Sequence, residues 1–122
     1  MVTYAERPWM KKYDEFVPQS LEPYPDHPLH EFLRKAARLS PEGPALVASA
    51  HLPLLGRVGN VVTFAQVDAA SDALAAAMVE MGLKKGDRVV IVMPNCVQFV
   101  IAFYAILKAG GVVAATNPTY PP

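Results

Sequence analysis

The sequence predicts an α/β fold, and three neighbouring segments carry the prediction. They are an apolar run at 89–93, an apolar helix at about 97–109 and a second apolar run at 112–115. The first run, VVIVM, is rich in β-branched side chains and has no polar alternation, the pattern of a strand buried on both faces. Asn95 is placed to cap the helix, because its side-chain oxygen can accept a free N–H of the first turn. Gly110 and Gly111 stop the helix, since glycine takes the left-handed conformation without steric cost. VVAA at 112–115 reads as the second strand. Strand, crossover helix and strand imply parallel pairing and a right-handed βαβ unit. Two parallel strands do not make a finished domain. The sequence is therefore expected to be a partial subdomain, with short strands and about three helices, of something larger.

The remaining elements follow in chain order. Residues 1–28 hold Pro8, Pro18, Pro23, Pro25 and Pro28, with Tyr4, Trp9, Tyr13, Phe16 and Tyr24 between them. Proline fixes φ and removes a backbone donor, so this segment is expected to be an extended arm rather than a helix. Its aromatics have two readings: they pin the arm to its own domain, or they dock on a second subunit. Residues 29–122 are expected to form the incomplete α/β subdomain. A short amphipathic helix opens it, with Leu29, Phe32, Leu33, Ala36 and Leu39 at helical spacing and Pro28 at the first helical position. Ser40 to Pro44 ends that helix. ALVA (45–48) and NVVTF (60–64) read as two short strands joined by a loop at 49–59. The loop's Leu52, Leu54 and Leu55 have no assigned role, with a sheet edge or a partner as candidates.

Residues 63–83 form the clearest surface helix. Thr63 is a good N-cap, and Gln66 three residues later completes a capping box. Val67, Ala70, Leu74, Met78 and Met81 mark the expected inner stripe, with Asp68, Asp72 and Glu80 opposite. Gly82 fits the position just past the end.

Composition excludes several classes. Hydrophobic residues are 52% of the 122 and charged residues 18%, which rules out wholesale disorder. Eleven basic and eleven acidic side chains balance, and no basic stripe argues for nucleic acid or anionic lipid. The one cysteine, Cys96, cannot form an internal disulfide, which fits a reducing cytoplasm. The first fifteen residues mix charges and lack the apolar core of a signal peptide. The apolar helix falls short of the ~20 residues that span a bilayer.

The search for chemistry returns mostly structural readings. His27 and His30 are three apart, but no third metal ligand of matching spacing is visible, and His51 is isolated. Cys96 beside a helix start reads as a buried, inert thiol. Lys84, Lys85 and Arg88 around Gly86-Asp87 read as a solvated turn rather than a phosphate site. No G-x-S-x-G occurs, and the glycines match neither G-x-G-x-x-G nor G-x-x-x-x-G-K-[ST]. Catalytic residues and metal ligands are therefore expected to be absent.

The order LKKGDRV, MPN, Gln98 before an apolar helix, ILKAGGVV and TNPTYPP resembles the amino-terminal part of the acyl-adenylate-forming (AMP-binding) enzymes. Within them it is most similar to the bacterial long-chain fatty-acid–CoA ligases (acyl-CoA synthetases). Pro8-Trp9, Tyr13, Val17-Pro18, PLHEFL at 28–33 and Thr63-Phe64 carry the same resemblance, which covers nearly the whole sequence. It implies an acyl-CoA-synthetase-like fold and a parent enzyme that activates a fatty acid with ATP and Mg²⁺. An acyl-AMP and pyrophosphate form first, and the CoA thiol then attacks the acyl carbonyl. The Thr/Ser/Gly-rich phosphate loop, the Tyr-Gly-x-Thr-Glu stretch and the carboxy-terminal lysine of that family do not occur here. The resemblance thus implies that these 122 residues bind no cofactor, are inactive alone and supply a scaffold layer. It further implies a cytoplasmic, homo-oligomeric parent, possible at the membrane periphery.

Two loops carry the site expectation. In open α/β sheets ligands bind beyond the carboxyl ends of the strands. Pro94-Asn95 follows one strand, and Asn117 and Tyr120 follow the next. These last two either shape the turn or approach the acyl or CoA region of the parent site. A stand-alone interaction module, and part of an aryl- or short-chain-acyl–CoA ligase, remain as alternatives. A phosphate loop downstream of Pro122 would separate the first alternative from the leading one.

Overall fold

The computed structural model describes residues 6–18, 20–53 and 56–119. Tyr4, Leu54, Leu55 and Tyr120, on which expectations were placed, lie outside the described residues. After a 3-10 turn at Pro8–Lys12 the chain forms α1 (His30–Leu39), β1 (Pro44–Leu52) and β2 (Gly56–Thr63). It continues through α2 (Phe64–Glu80), β3 (Arg88–Val92), α3 (Val97–Lys108) and β4 (Val112–Thr116). The three helices and the parallel β3–α3–β4 unit are those the sequence predicts. β3 pairs with β4 in register from Arg88↔Val112 to Val92↔Thr116.

The short expected strands are a longer antiparallel hairpin. β1 and β2 pair from Pro44↔Thr63 to Leu52↔Gly56, so most of the expected loop 49–59 is strand. Gly59 read as loop punctuation, yet it sits inside β2. A Cβ there would stand 3.2 Å from the carbonyl oxygen of Ala48, so glycine marks a close backbone approach.

The arm is also corrected. Pro8 opens a 3-10 turn rather than extended chain, because its fixed φ suits a first helical position where no N–H is needed. α1 begins two residues after Pro28, whose carbonyl accepts the Glu31 N–H at 3.0 Å. Of its expected apolar stripe only Leu33 is buried, while Leu29, Phe32 and Leu39 are exposed. α1 packs mainly on α2, and one neighbour covers one narrow stripe.

α2 is closed at both ends by local bonds. The Gln66 N–H donates to Thr63 Oγ1 at 3.3 Å, and the Thr63 N–H donates to Gln66 Oε1 at 2.9 Å. At the far end Gly82 takes φ +102, the Leu83 N–H donates to the Met78 carbonyl at 3.0 Å and the Gly82 N–H to that of Val79 at 2.9 Å. This is the Schellman pattern. Of the expected inner stripe, Val67 is buried and Leu74 and Met78 pack against the core, while Met81 is not part of it. Val67, Ser71 and Ala75 are the buried positions, and Met81 is 87% exposed. Asp68 and Asp72 turn toward α3 instead of away, because both meet Lys108.

α3 begins one residue later than the Asn95 cap requires. Cys96 is the extended N-cap residue and makes no side-chain cap bond, which leaves Asn95 too far back to reach the first turn. Cys96 itself is half-buried rather than enclosed. Gly110, at φ +80, and Gly111 end α3 in a second Schellman pattern, with Gly111 N–H to Ile106 carbonyl at 2.8 Å.

The core gathers between α3, β3 and α2. Ile91, Ala102 and Ile106 form its centre, with Leu74, Met78, Phe99 and Phe103 packed against it. Burying a side chain the size of Ile106, fully enclosed here, is worth about 1.5–3 kcal/mol. β3 is not buried on both faces: Ile91 faces the core, while Val90 and Val92 are 62% and 57% exposed. The sheet has two strands among the described residues, and side chains of α3 and α2 pack on its Ile91 side.

Candidate functional site

The carboxyl ends of β3 and β4 open into a cleft of about 650 Å³. Met93, Phe99 and Ala115 form its apolar floor, and Asn95, Asn117 and Thr119 its polar rim. This is where open α/β sheets place ligands. Strand pairing in register brings Val92 beside Thr116, so the two following loops rise together. Asn117 is committed to its own turn: its Oδ1 accepts the Thr119 N–H at 3.0 Å and the Thr119 hydroxyl at 2.8 Å. Such an Asx turn fixes the loop. Of the two expected site residues, then, Asn117 lines the cleft as a turn former, and Tyr120 lies outside the described residues.

A second cleft, of about 570 Å³, runs between the hairpin and the start of α3. Val47, Ser49 and Asn60 line one side, Cys96 and Gln98 the other. Asn95 lines both clefts and stands between them. Sequence reasoning took Val47 and Asn60 for strand and Ser49 for loop, but did not bring them to the start of α3. No signal in the sequence pairs β1 with the start of α3.

Among the described residues no charged side chain lines the first cleft. Amides, hydroxyls and an apolar floor suit an uncharged group, and nothing there offsets the charge of a triphosphate. Nor do the described residues fit a Mg²⁺ site: no group of three or more His, Cys, Asp or Glu among them is arranged to hold a metal. Asp68 and Asp72, one helical turn apart on α2, are taken by the ammonium of Lys108. His27 stacks on Phe32 with ring centroids 4.9 Å apart, and His30 lies 3.7 Å from Glu31, so the two do not converge. Lys84 to Arg88 is the expected turn, held by the Lys84 N–H donating to Asp87 Oδ2 at 2.8 Å.

The polar cluster of the molecule lies on the helical side. Lys108 Nζ contacts Asp68 Oδ1 at 2.6 Å and Asp72 Oδ1 at 2.8 Å from a side chain only 2% exposed. Arg34 reaches Asp72 at 3.4 Å and Glu31 at 3.0 Å, which links α1 to the cluster. The hydrogen bond from Lys108, aided by both cations, holds the Asp72 carboxyl below its ordinary value of 3.8. The bond to Glu31 first, then the charges of Asp72 and Glu31, holds the Arg34 guanidinium above its ordinary value.

This arrangement of helices, hairpin and parallel strand pair is that of the amino-terminal part of acyl-adenylate ligases. Residues 33–122 match the model of the AMP-binding enzyme family, and the chain belongs to that family. It is 36% identical over 118 residues to a long-chain-fatty-acid–CoA ligase of Yersinia pestis, covering 96% of this chain and 19% of the relative. It is 35% identical over 116 residues to the Bacillus subtilis ligase of the same name, again 95% of this chain and 19% of the relative. The crystal structure of a fatty acid AMP ligase from Legionella pneumophila superposes with a TM-score of 0.66 at 25% identity, covering 78% of this chain and 16% of that one. The chain thus spans about a fifth of the length of the curated relatives it matches.

Proposed function

We propose that this chain is an amino-terminal scaffold layer of an AMP-forming long-chain fatty-acid–CoA ligase. The observation that carries the reading is 36% identity sustained over 96% of the chain to a ligase of that kind. Residues 1–28 act as the arm and 29–122 as part of the α/β subdomain. ATP, Mg²⁺ and CoA serve the whole enzyme, and the groups that hold them come from outside these residues. The metal supplies charge neutralisation when fatty acid and ATP form acyl-AMP and pyrophosphate. This chain's own part is to hold the β3 and β4 loops, with Asn95, Asn117 and Tyr120, against the acyl or CoA region. The uncharged cleft supports that placement.

The arm supports a homo-oligomeric enzyme, since Phe16, Leu21 and Tyr24 are 83%, 75% and 66% exposed. No helix of the described residues is long and apolar enough to cross a membrane. A cytoplasmic enzyme, with at most a peripheral membrane contact, agrees with that and with the single cysteine. The test is to assay the whole protein for acyl-CoA, AMP and pyrophosphate with long-chain, short-chain and aryl acids. Equal release of AMP and pyrophosphate with long-chain acids is expected. Turnover confined to aryl or short-chain acids, or no turnover with any acid, would overturn the reading.

A further inference from the structure

Lys108 lies away from the crevice, yet its ammonium is held with unusual completeness. It donates to the Asp68 carbonyl at 2.9 Å, to Asp68 Oδ1 at 2.6 Å and to Asp72 Oδ1 at 2.8 Å. An ammonium has three N–H donors, so all three are used. Stability alone explains this poorly, because replacing buried ion pairs by apolar residues is often neutral or stabilising. What such groups do best is fix register.

The α2–α3 pair is a place where register needs fixing. Both helices bury small side chains: Ser71 and Ala75 on α2, Ala102 and Ala105 on α3. Among the described residues Ile106 and Val67 are the only large side chains fully enclosed. Helices lock by interdigitating side-chain ridges, and small residues make shallow ones. Such a seam fixes how close the helices lie better than where one stands along the other. α3 is also the crossover of the parallel unit, and its first residues form the wall between the two clefts.

We infer that Lys108 is a positioning residue. Its three bonds to Asp68 and Asp72 set where α3 lies along α2, and so where Asn95, Cys96 and Val97 stand between the clefts. α3 has 12 residues, a rod of about 18 Å that carries a displacement at Lys108 to its other end. The register part stands by itself, and only the effect on turnover rests on the function proposed above.

The experiment is the crystal structure and steady-state kinetics of Lys108→Met in the whole protein, beside Arg34→Met. Arg34 holds the other side of Asp72 from α1. Lys108→Met leaves Asp68 and Asp72 without their cation, so it is expected to melt below the parent, with α3 displaced along α2 and a raised KM for the acid or CoA. A misplacement of 1 Å can cost ~100-fold in rate. Arg34→Met is expected to leave α3 in place. An undisplaced α3 in Lys108→Met, or an equal displacement in Arg34→Met, overturns the inference. If Lys108→Met does not fold, Asp72→Asn is judged by the same displacement. A displaced α3 with unchanged kinetics keeps the register role and removes the clefts from the proposed activity.

Discussion

Asp72 holds Lys108 at 2.8 Å across the seam between α2 and α3, and its carboxylate is shared with Arg34 on α1. Three helices thus meet on one acidic side chain. The lysine is 2% exposed and the aspartate 49%, so the pair straddles the boundary between interior and solvent.

The first prediction follows from the depressed Asp72 carboxyl. A carboxyl with a lowered folded value adds stability that is full above its unfolded value, 3.8, and lost as pH falls through the lower folded value. The parent is therefore expected to be more stable than Asp72→Asn at pH 6. The gap should close as pH falls below 3.8 and the folded Asp72 carboxyl takes up its proton, where both carry a neutral side chain. Denaturant midpoints across that range check it, and a gap independent of pH would show that Asp72 charge contributes nothing.

Thr63→Ala removes the oxygen that caps α2 and is expected to cost about 1 kcal/mol. Thr63→Ser keeps the oxygen and should differ little from the parent. Urea midpoints that coincide for all three would show that the capping box does not stabilise the helix.

Gly111→Ala places a Cβ 2.9 Å from Ile106 Cγ2 and 3.3 Å from the Asp87 carbonyl oxygen. One neighbour is core and the other backbone, so neither yields easily. A loss of about 1–3 kcal/mol is expected, as for an overpacked core. Gly82→Ala meets no atom within 4 Å and suffers only from its φ of +102, so it should cost less. The reverse order in thermal melts would contradict the close approach at Gly111.

The 122-residue polypeptide is expected to self-associate. Val90, Val92 and Val112 expose apolar surface on a two-stranded sheet whose outer edges are unpaired. Such edges template pairing with another chain. Sedimentation velocity over a concentration series should show dimers or larger species, whereas a single 13.2 kDa species throughout would refute it.

What could be read from the sequence was what neighbours in the chain decide. Thr63 with Gln66, Gly82, and Gly110 with Gly111 place their caps through bonds three to five residues long, and each stands where expected. The parallel unit was legible because an apolar run, a helix and a glycine stop leave little choice of topology. The errors fall where distant contacts overrule local pattern. Asp68 and Asp72 looked like solvent-facing charges because their partner, Lys108, lies forty residues from the first of them. Ser49 to Leu52 and Gly56 to Gly59 looked like loop because what makes them strand is their pairing with each other, from Ser49↔Gly59 to Leu52↔Gly56. Asn95 missed its cap by one residue, a boundary error that local preference does not settle. The cleft position was foreseen from strand order, but its second wall depends on packing between two units with no shared pattern.

The ammonium of Lys108 also says something about the order of assembly. Both ends of α2 are tied by bonds between near neighbours, so that helix can form as soon as its own residues collapse. The clamp closes across forty residues and encloses all of β3, so its loop entropy is met only after the strand and α3 have docked. Until then the charge stays hydrated, and desolvation is deferred to the end of folding.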